Sequence, residues 1–270
     1  MKKDLGFSTR AIHVGQEADP LTGSIGVPIY PTSTYLQDEL GKNKGYEYSR
    51  VSNPTRTRLE ENLASLEGGV AARVFASGMA AINALCTMFK SGDHVVCGHD
   101  LYGGVPRLFN QVLTNYGLEF TYVNTSDSNQ VERAIRKGTR MVYIETPTNP
   151  LMSLTDIRAV SQICRRKKIE LVVDNTFMSP YFQQPLALGA DMVVHSTTKF
   201  LNGHSDGLGG VIVCTRPEQR RTVDGRQELV DCGPGMAGHP AASGQRTGAR
   251  SGRVRDGYRS CSGRRLRPLG

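Results

Sequence analysis

No stretch of this chain approaches the roughly 18 consecutive apolar residues that a membrane-spanning helix needs. The opening Met-Lys-Lys-Asp-Leu-Gly-Phe carries charge with no apolar run behind it, unlike a secretory leader. A soluble cytoplasmic protein with no membrane partner is therefore expected. Paired cysteines are also missing. Cys86, Cys97, Cys164, Cys214, Cys232 and Cys261 lie far apart, with no Cys-x-x-Cys spacing and no clustered histidines, which argues against a disulfide framework or a zinc site. Reduced thiols and no bound metal are the expectation. At 38% hydrophobic residues over 270 positions, the chain has enough apolar material for a substantial buried core.

Lysine is absent from residues 220 to 270, where 11 Arg face only 4 acidic residues, a surplus of 7 in a chain whose net charge is +8. The body is thus nearly neutral, and the overall basic balance does not by itself point to nucleic acid. Sustained apolar periodicity is missing from the same 51 residues, which are rich in Arg, Gly, Pro, Ala and Ser. They read as a disordered basic tail or as translation in a shifted frame. Gly233-Pro-Gly-Met-Ala-Gly238 matches the dinucleotide-binding fingerprint literally, yet it has neither the strand before nor the helix after that the motif needs. Asn124-Thr-Ser126 is likewise a glycosylation sequon without a secretory context.

The first 219 residues read differently. Asn53-Pro54 is a cap followed by a first-turn proline, Leu59, Leu63 and Leu66 fall on one helical face, and Gly68-Gly69 ends the helix. A second helix is expected from Gly78 to about Lys90. Short β-rich runs then recur at His94–Cys97, Glu119–Val123, Arg140–Glu145, Ile169–Asp174, Asp191–His195 and Gly210–Cys214, with helix-like stretches between most of them. The pattern predicts an α/β fold, a largely parallel sheet covered by helices, with ligands gathering at the carboxyl ends of the strands, where Glu145, Asp174 and His195 to Lys199 would lie. Three regions are expected: an arm at 1–47, a large domain at 48–219 and the tail at 220–270.

Lys199, in His195-Ser-Thr-Thr-Lys-Phe-Leu-Asn-Gly-His-Ser-Asp206, comes shortly after Leu171-Val-Val-Asp-Asn-Thr-Phe177. An amine able to bond an aldehyde carbon and a carboxylate able to keep a pyridine nitrogen protonated are what a pyridoxal phosphate site requires. Lys199 and Asp174 would fill the two roles. A lone lysine near hydroxyls is ordinarily a surface residue, and an aspartate ending a strand is ordinarily a turn or cap; their combination is what separates this chain. Gly78 and Met79, opening a helix after Ser77, would offer backbone amides to a phosphate, although the same Ser-Gly start is by itself an ordinary N-cap. Ser196 and Thr198 would add hydroxyls. Tyr102, in a loop after an expected strand, could cover a ring face or merely pack, and Arg50 could grip phosphate bidentately or merely be solvated.

Tyr48-Ser-Arg50 with Asn53-Pro-Thr55, Ser77-Gly-Met79, Asp100-Leu-Tyr-Gly103, Glu145-Thr-Pro-Thr-Asn-Pro150, Val173-Asp-Asn-Thr-Phe177 and Ser196-Thr-Thr-Lys199 with Asn202-Gly-His-Ser-Asp206 stand in the order seen in one family. Over residues 7 to 219 the chain resembles the Cys/Met-metabolism pyridoxal phosphate enzymes, and among them the cystathionine γ-synthases and γ-lyases. The resemblance implies a fold-type I transferase with a mostly parallel, seven-stranded type of sheet. It implies that Lys199 bonds pyridoxal 5'-phosphate, that Asp174 pairs with the pyridine nitrogen, and that Tyr102 stacks on the ring and assists proton transfer. Gly78, Met79, Ser196 and Thr198 would hold the phosphate, Asn149 would lie near the ring hydroxyl, and Tyr48 and Arg50 would reach a neighbouring subunit's phosphate. A homodimer or homotetramer acting on small amino acid substrates follows, with catalysis resting on Lys199 and Tyr102.

The implied reaction is γ-replacement or γ-elimination in transsulfuration, giving cystathionine from an acylated homoserine and cysteine, or a keto acid and ammonia. The synthase is slightly favoured. Cystathionine β-lyase, methionine γ-lyase and O-acylhomoserine sulfhydrylase are alternatives within the family. A non-enzymatic basic binding protein, working through residues 220 to 270, is the remote one. The small C-terminal domain of the family has no counterpart here, so the polypeptide is expected to be truncated or frame-shifted, unstable, and weakly active or inactive.

Overall fold

The computed structural model describes residues 5–219 and Val223. The chain opens with α1 (Phe7–His13) and a small antiparallel pair, β1 (Gln37–Glu39) and β2 (Lys42–Asn43). It then runs through α2 (Pro54–Glu67), β3 (Ala71–Phe75), α3 (Gly78–Cys86), β4 (His94–Gly98), α4 (Gly104–Gln111) and, after a 3-10 turn at Leu113–Tyr116, β5 (Glu119–Val123). There follow α5 (Ser128–Ala134), β6 (Thr139–Glu145), α6 (Ile157–Lys167), β7 (Glu170–Asp174), α7 (Ser179–Phe182), β8 (Met192–Ser196) and β9 (Gly210–Cys214). The Arg-rich segment 220–270 and its Gly233–Gly238 match lie, apart from Val223, outside the described residues.

Local chemistry sets the helix limits. Asn53 caps α2 by accepting from the Thr55 N–H, Pro54 takes the first turn, and Gly68 ends the helix at φ 75° in the left-handed region that glycine enters without a Cβ penalty. Asp156 caps α6, whose last turn carries Arg165, Arg166 and Lys167 against the negative end of the helix dipole. α3 stops at Cys86, short of the expected Lys90. The Thr87 hydroxyl donates back to the Ala84 carbonyl, and Met88 and Phe89 donate to carbonyls only three residues behind, which tightens the chain out of α geometry.

Seven strands form one sheet in the order β5-β4-β6-β7-β8-β9-β3. The β5/β4, β4/β6, β6/β7 and β7/β8 pairs are parallel, and β9 is antiparallel to both β8 and β3. Six strands therefore point one way and β9 alone is reversed. The mostly parallel sheet matches expectation, and the strand not read from sequence is β3. Alternate residues feed the two faces. Met141, Tyr143, Val172, Met192, Val194 and Ile212 pack under α3 and α4 with Leu85 and Phe109, while Val142, Ile144, Leu171 and Val173 pack against Ile157, Val160 and Cys164 of α6. α2 covers β3 and β9 through Leu63, Leu66, Val74, Val211 and Val213. Helices thus lie on both faces and leave the carboxyl edge of the sheet open for chemistry. Cys86, Cys97, Cys164 and Cys214 are buried free thiols, as expected of core cysteines. Among the described residues no helix is long and apolar enough to cross a membrane, and no His/Cys/Asp/Glu cluster could hold a metal ion.

Candidate active site

The six co-directional strands bring their carboxyl ends to one edge. Asp100 and Tyr102 follow β4, Glu145 ends β6, Asp174 ends β7, Ser196 ends β8 and leads to Lys199, and Phe75 ends β3 just before the Ser77-Gly78 start of α3. Glu145 and Asp174 are register partners on adjacent strands. Phe75, Gly210 and Ser196 stand in one row across β3, β9 and β8. Because β9 runs backwards, its first residue, Gly210, lies at this edge. A Cβ there would come within 2.2 Å of the Ser77 carbonyl oxygen, so only glycine lets α3 begin directly against the sheet.

That close approach puts Gly78 beside Ser196: a Cβ on Gly78 would lie 2.9 Å from the Ser196 Cβ. Ser77 caps α3 through its hydroxyl, which accepts from Ala80 N–H, while the amides of Gly78 and Met79 find no acceptor among the described residues. Thr198 Oγ1 accepts from Gly209 N–H at 3.1 Å, and Ser196 N–H donates to the Thr176 hydroxyl at 2.8 Å. Hydroxyls and helix-start amides therefore share one corner, the geometry an anion favours.

The Asp174 carboxylate is fixed from two directions. Its Oδ1 accepts from Thr176 N–H at 3.0 Å and its Oδ2 from the buried Tyr143 hydroxyl at 3.1 Å. Burial, first, and the Asp174 charge, second, push the Tyr143 phenol well above its ordinary range, so it remains a neutral donor. Lys199 is exposed, its backbone N–H held by the Ser196 carbonyl and its carbonyl accepting from Gly203 N–H. No carboxylate pairs with its amine among the described residues.

Tyr102 is 49% exposed, and its ring is close to Met79: a Cβ on Gly104 would lie 2.7 Å from Tyr102 Cε1 and 2.9 Å from Met79 Sδ. The Tyr102 amide donates 2.8 Å to Glu145 Oε2, and the amide of exposed Asn149 donates 3.0 Å to Glu145 Oε1. Tyr48 and Arg50 lie in the segment before α2, with the Arg50 guanidinium 4.8 Å from the Tyr48 ring centroid. Thus Gly78, Met79, Tyr102, Asn149, Asp174, Ser196, Thr198 and Lys199 gather at one edge of the sheet. No hydrogen bond or ring contact among the described residues joins Tyr48 or Arg50 to that edge.

A family model described as Cys/Met metabolism PLP-dependent enzyme matches residues 8–248. The chain belongs to that family. The family's curated relatives include a probable cystathionine γ-synthase of Herpetosiphon aurantiacus, 50% identical over 232 residues, 86% of this chain and 73% of the relative. The cystathionine γ-lyase of Bacillus subtilis (strain 168) is 52% identical over 210 residues, 78% of this chain and 55% of the relative. The crystal structure of cystathionine γ-lyase from Lactobacillus plantarum complexed with L-serine aligns with a TM-score of 0.82 at 45% identity, covering 84% of this chain and 59% of that one. The chain thus spans between about half and three quarters of the length of these relatives.

Pyridoxal 5'-phosphate is the family's cofactor, and the residues at this edge fit it. The glycine-bounded corner at Gly78 and Ser196 suits a phosphate, the doubly held Asp174 carboxylate a protonated ring nitrogen, and the Lys199 amine an aldehyde.

Sequence reasoning put Glu145 at the ligand edge but gave it no role; its hydrogen bonds to the Tyr102 and Asn149 amides, 43 and 4 residues away in the chain, supply one. It missed the buried Glu67, whose Oε1 takes hydrogen bonds from His195 and Asn175, the immediate neighbours of Ser196 and Asp174.

Proposed function

We propose that this chain carries the cofactor site of a pyridoxal phosphate-dependent enzyme performing γ-replacement or γ-elimination on sulfur amino acids in transsulfuration. Its reaction is that of a cystathionine γ-synthase or γ-lyase, with the synthase preferred. The observation that carries the reading is the placing of Asp174 and Lys199 at neighbouring strand ends beside the Gly78–Ser196 corner, within a chain about 50% identical to relatives named for both activities.

When bound, the cofactor supplies an electron sink that stabilises negative charge at the substrate's α carbon. The residues do the rest. Asp174, held by Tyr143 and Thr176, keeps a positive ring nitrogen paired. Gly78, Met79, Ser196 and Thr198 bind phosphate. Lys199 would hold the cofactor through its amine, and the same amine would serve as the base and acid that carries protons between the substrate's α and β carbons. Tyr102 would cover the ring and serve as a second proton donor or acceptor, and Asn149 would hold the ring hydroxyl. Tyr48 and Arg50 serve the phosphate of a neighbouring subunit, so the active unit is a homodimer or a homotetramer, in the cytoplasm.

Product analysis tests the reading. The purified chain, which spans only part of its relatives' length, is expected with pyridoxal phosphate to give weak, Lys199-dependent formation of cystathionine from an O-acylhomoserine and cysteine. Cysteine, a keto acid and ammonia from cystathionine alone, with no synthesis, would move the assignment to the γ-lyase. Methanethiol or homocysteine formation would move it elsewhere in the family. Bound cofactor with no turnover on any of these substrates would remove the catalytic claim for this chain.

The phosphate corner has its own test. Gly78→Ala drives a Cβ to 2.9 Å from the Ser196 Cβ and 3.1 Å from its Cα, so α3 must move a few tenths of an ångström from β8. The expected result is about a tenfold rise in the cofactor dissociation constant, the equivalent of one good hydrogen bond to a charged group. The thermal midpoint of the cofactor-free chain should change far less. Unchanged affinity would dissociate Gly78 from the phosphate.

A further inference from the structure

Glu145 is the least comfortable carboxylate at the strand ends. It is buried, and its sheet-register partner is another carboxylate, Asp174. Asp100 follows neighbouring β4 and adds a third acidic group; its Oδ2 is itself buried without a partner among the described residues. Burial first, and the Asp174 charge second, push the Glu145 carboxyl up to about 7, against the pull of two backbone N–H groups. A Leu or Val here would continue the apolar run of β6 without that cost.

What the carboxylate does instead is geometric. Each oxygen takes one backbone N–H: Oε2 that of Tyr102 at 2.8 Å, and Oε1 that of Asn149 at 3.0 Å. The two donors belong to different loops, after β4 and after β6, and both side chains are exposed with no other side-chain bond fixing them. The two N–H groups arrive at separate oxygens, and a carboxylate is the side chain that offers two acceptor atoms.

We propose that Glu145 is a positioning residue, a two-pronged clasp that holds the Tyr102 and Asn149 loops in one fixed relation beside Asp174. This rests on the reading of the edge as a pyridoxal phosphate site, with Tyr102 and Asn149 the residues presented to the ring. Glu145 touches neither cofactor nor substrate; it acts through the two backbones it binds.

Glu145→Gln is the informative change, because a side-chain amide has one acceptor oxygen where the carboxylate has two. Two quantities are measured: amide hydrogen exchange at Tyr102 and Asn149 in the cofactor-free chain, and the pyridoxal phosphate dissociation constant in the Tyr102 and Tyr102→Ala backgrounds. Exchange at one of the two amides is expected to rise about tenfold in Glu145→Gln, and at both in Glu145→Ala. Cofactor affinity should drop about tenfold with Tyr102 present and by less than half as much, on a logarithmic scale, in Tyr102→Ala, since groups acting through one another are not additive. Unchanged exchange at both amides overturns the clasp. So does an affinity loss of equal size in both backgrounds, which would mark a general packing role, and so does no loss at all. If even the unaltered chain takes up no cofactor, the cofactor reading falls by itself, and amide exchange still decides the clasp.

Discussion

Replacing Lys199 with alanine is expected to abolish covalent capture of pyridoxal phosphate by this chain. The unaltered protein, incubated with the cofactor and then reduced with borohydride, should gain the mass of one cofactor less one water plus two hydrogens on the peptide containing Lys199 and show a visible absorption band beforehand; Lys199→Ala should show neither. The effect is close to all-or-none because the chemistry needs a primary amine at one place. The Ser196 carbonyl takes the Lys199 N–H, Gly203 N–H closes on the Lys199 carbonyl, and Thr198 is tied to Gly209, so the turn presents this amine at the edge where Asp174 and Gly78 lie. Lys199→Arg sharpens the test. It keeps a positive charge but has no amine that can bond an aldehyde, so it should bind the cofactor reversibly and never become labelled. Labelling of unchanged extent in Lys199→Ala, at some other lysine, would sink the assignment.

Much of this site was legible because its members are encoded in short local strings. The six strands read from β-rich runs are present, and the Asn53-Pro54 start and Gly68 stop of α2 stand where cap chemistry put them. β3 escaped because Ala71-Ala-Arg-Val-Phe75 has only two strong strand formers and a charged residue in the middle. It is made a strand by its partner: every residue from Ala71 to Phe75 pairs with β9, which is far more apolar and lies 135 or more residues on. α3 was read four residues too long since nothing local marks the Thr87 hydroxyl as a chain-turning group. Glu145 and Glu67 are harder cases. A glutamate at a helix end reads as solvated, and a strand-end position puts Glu145 at the ligand edge without a role; only the folded chain reveals that Glu145 serves Tyr102, or that Glu67 serves a histidine 128 positions away.

The second large effect belongs to Glu67. Its side chain and that of His195 are each 1% exposed, and Glu67 Oε1 lies 2.5 Å from His195 Nε2 while also accepting from Asn175 Nδ2 at 3.1 Å. Asn175 goes on to exchange bonds with Gln183, whose amide also donates to the Thr146 carbonyl. One buried chain of polar groups thus joins the end of α2 to β7, α7, β8 and the loop after β6, immediately behind Asp174 and Ser196. The network is not complete: Glu67 Oε2 and His195 Nδ1 have no partner among the described residues, so it has little redundancy to absorb a loss. Glu67→Ala leaves His195 and Asn175 each a hydrogen bond short in a water-free interior. At about 1–3 kcal/mol for each stranded group, the expected loss is roughly 2–6 kcal/mol. For a chain of this size that is a fall of roughly 10 °C in thermal midpoint, read by calorimetry or circular dichroism. Glu67→Gln keeps one acceptor and should lose clearly less, which separates a hydrogen-bonding role from simple volume. A Glu67→Ala protein within about 0.5 kcal/mol of the original, the range of ordinary surface changes, would mean that water or rearrangement replaces the bonds. Because Asn175 and His195 adjoin Asp174 and Ser196 in sequence, the loss of stability should come with weaker cofactor binding, and a variant that lost one without the other would uncouple this network from the site it stands behind.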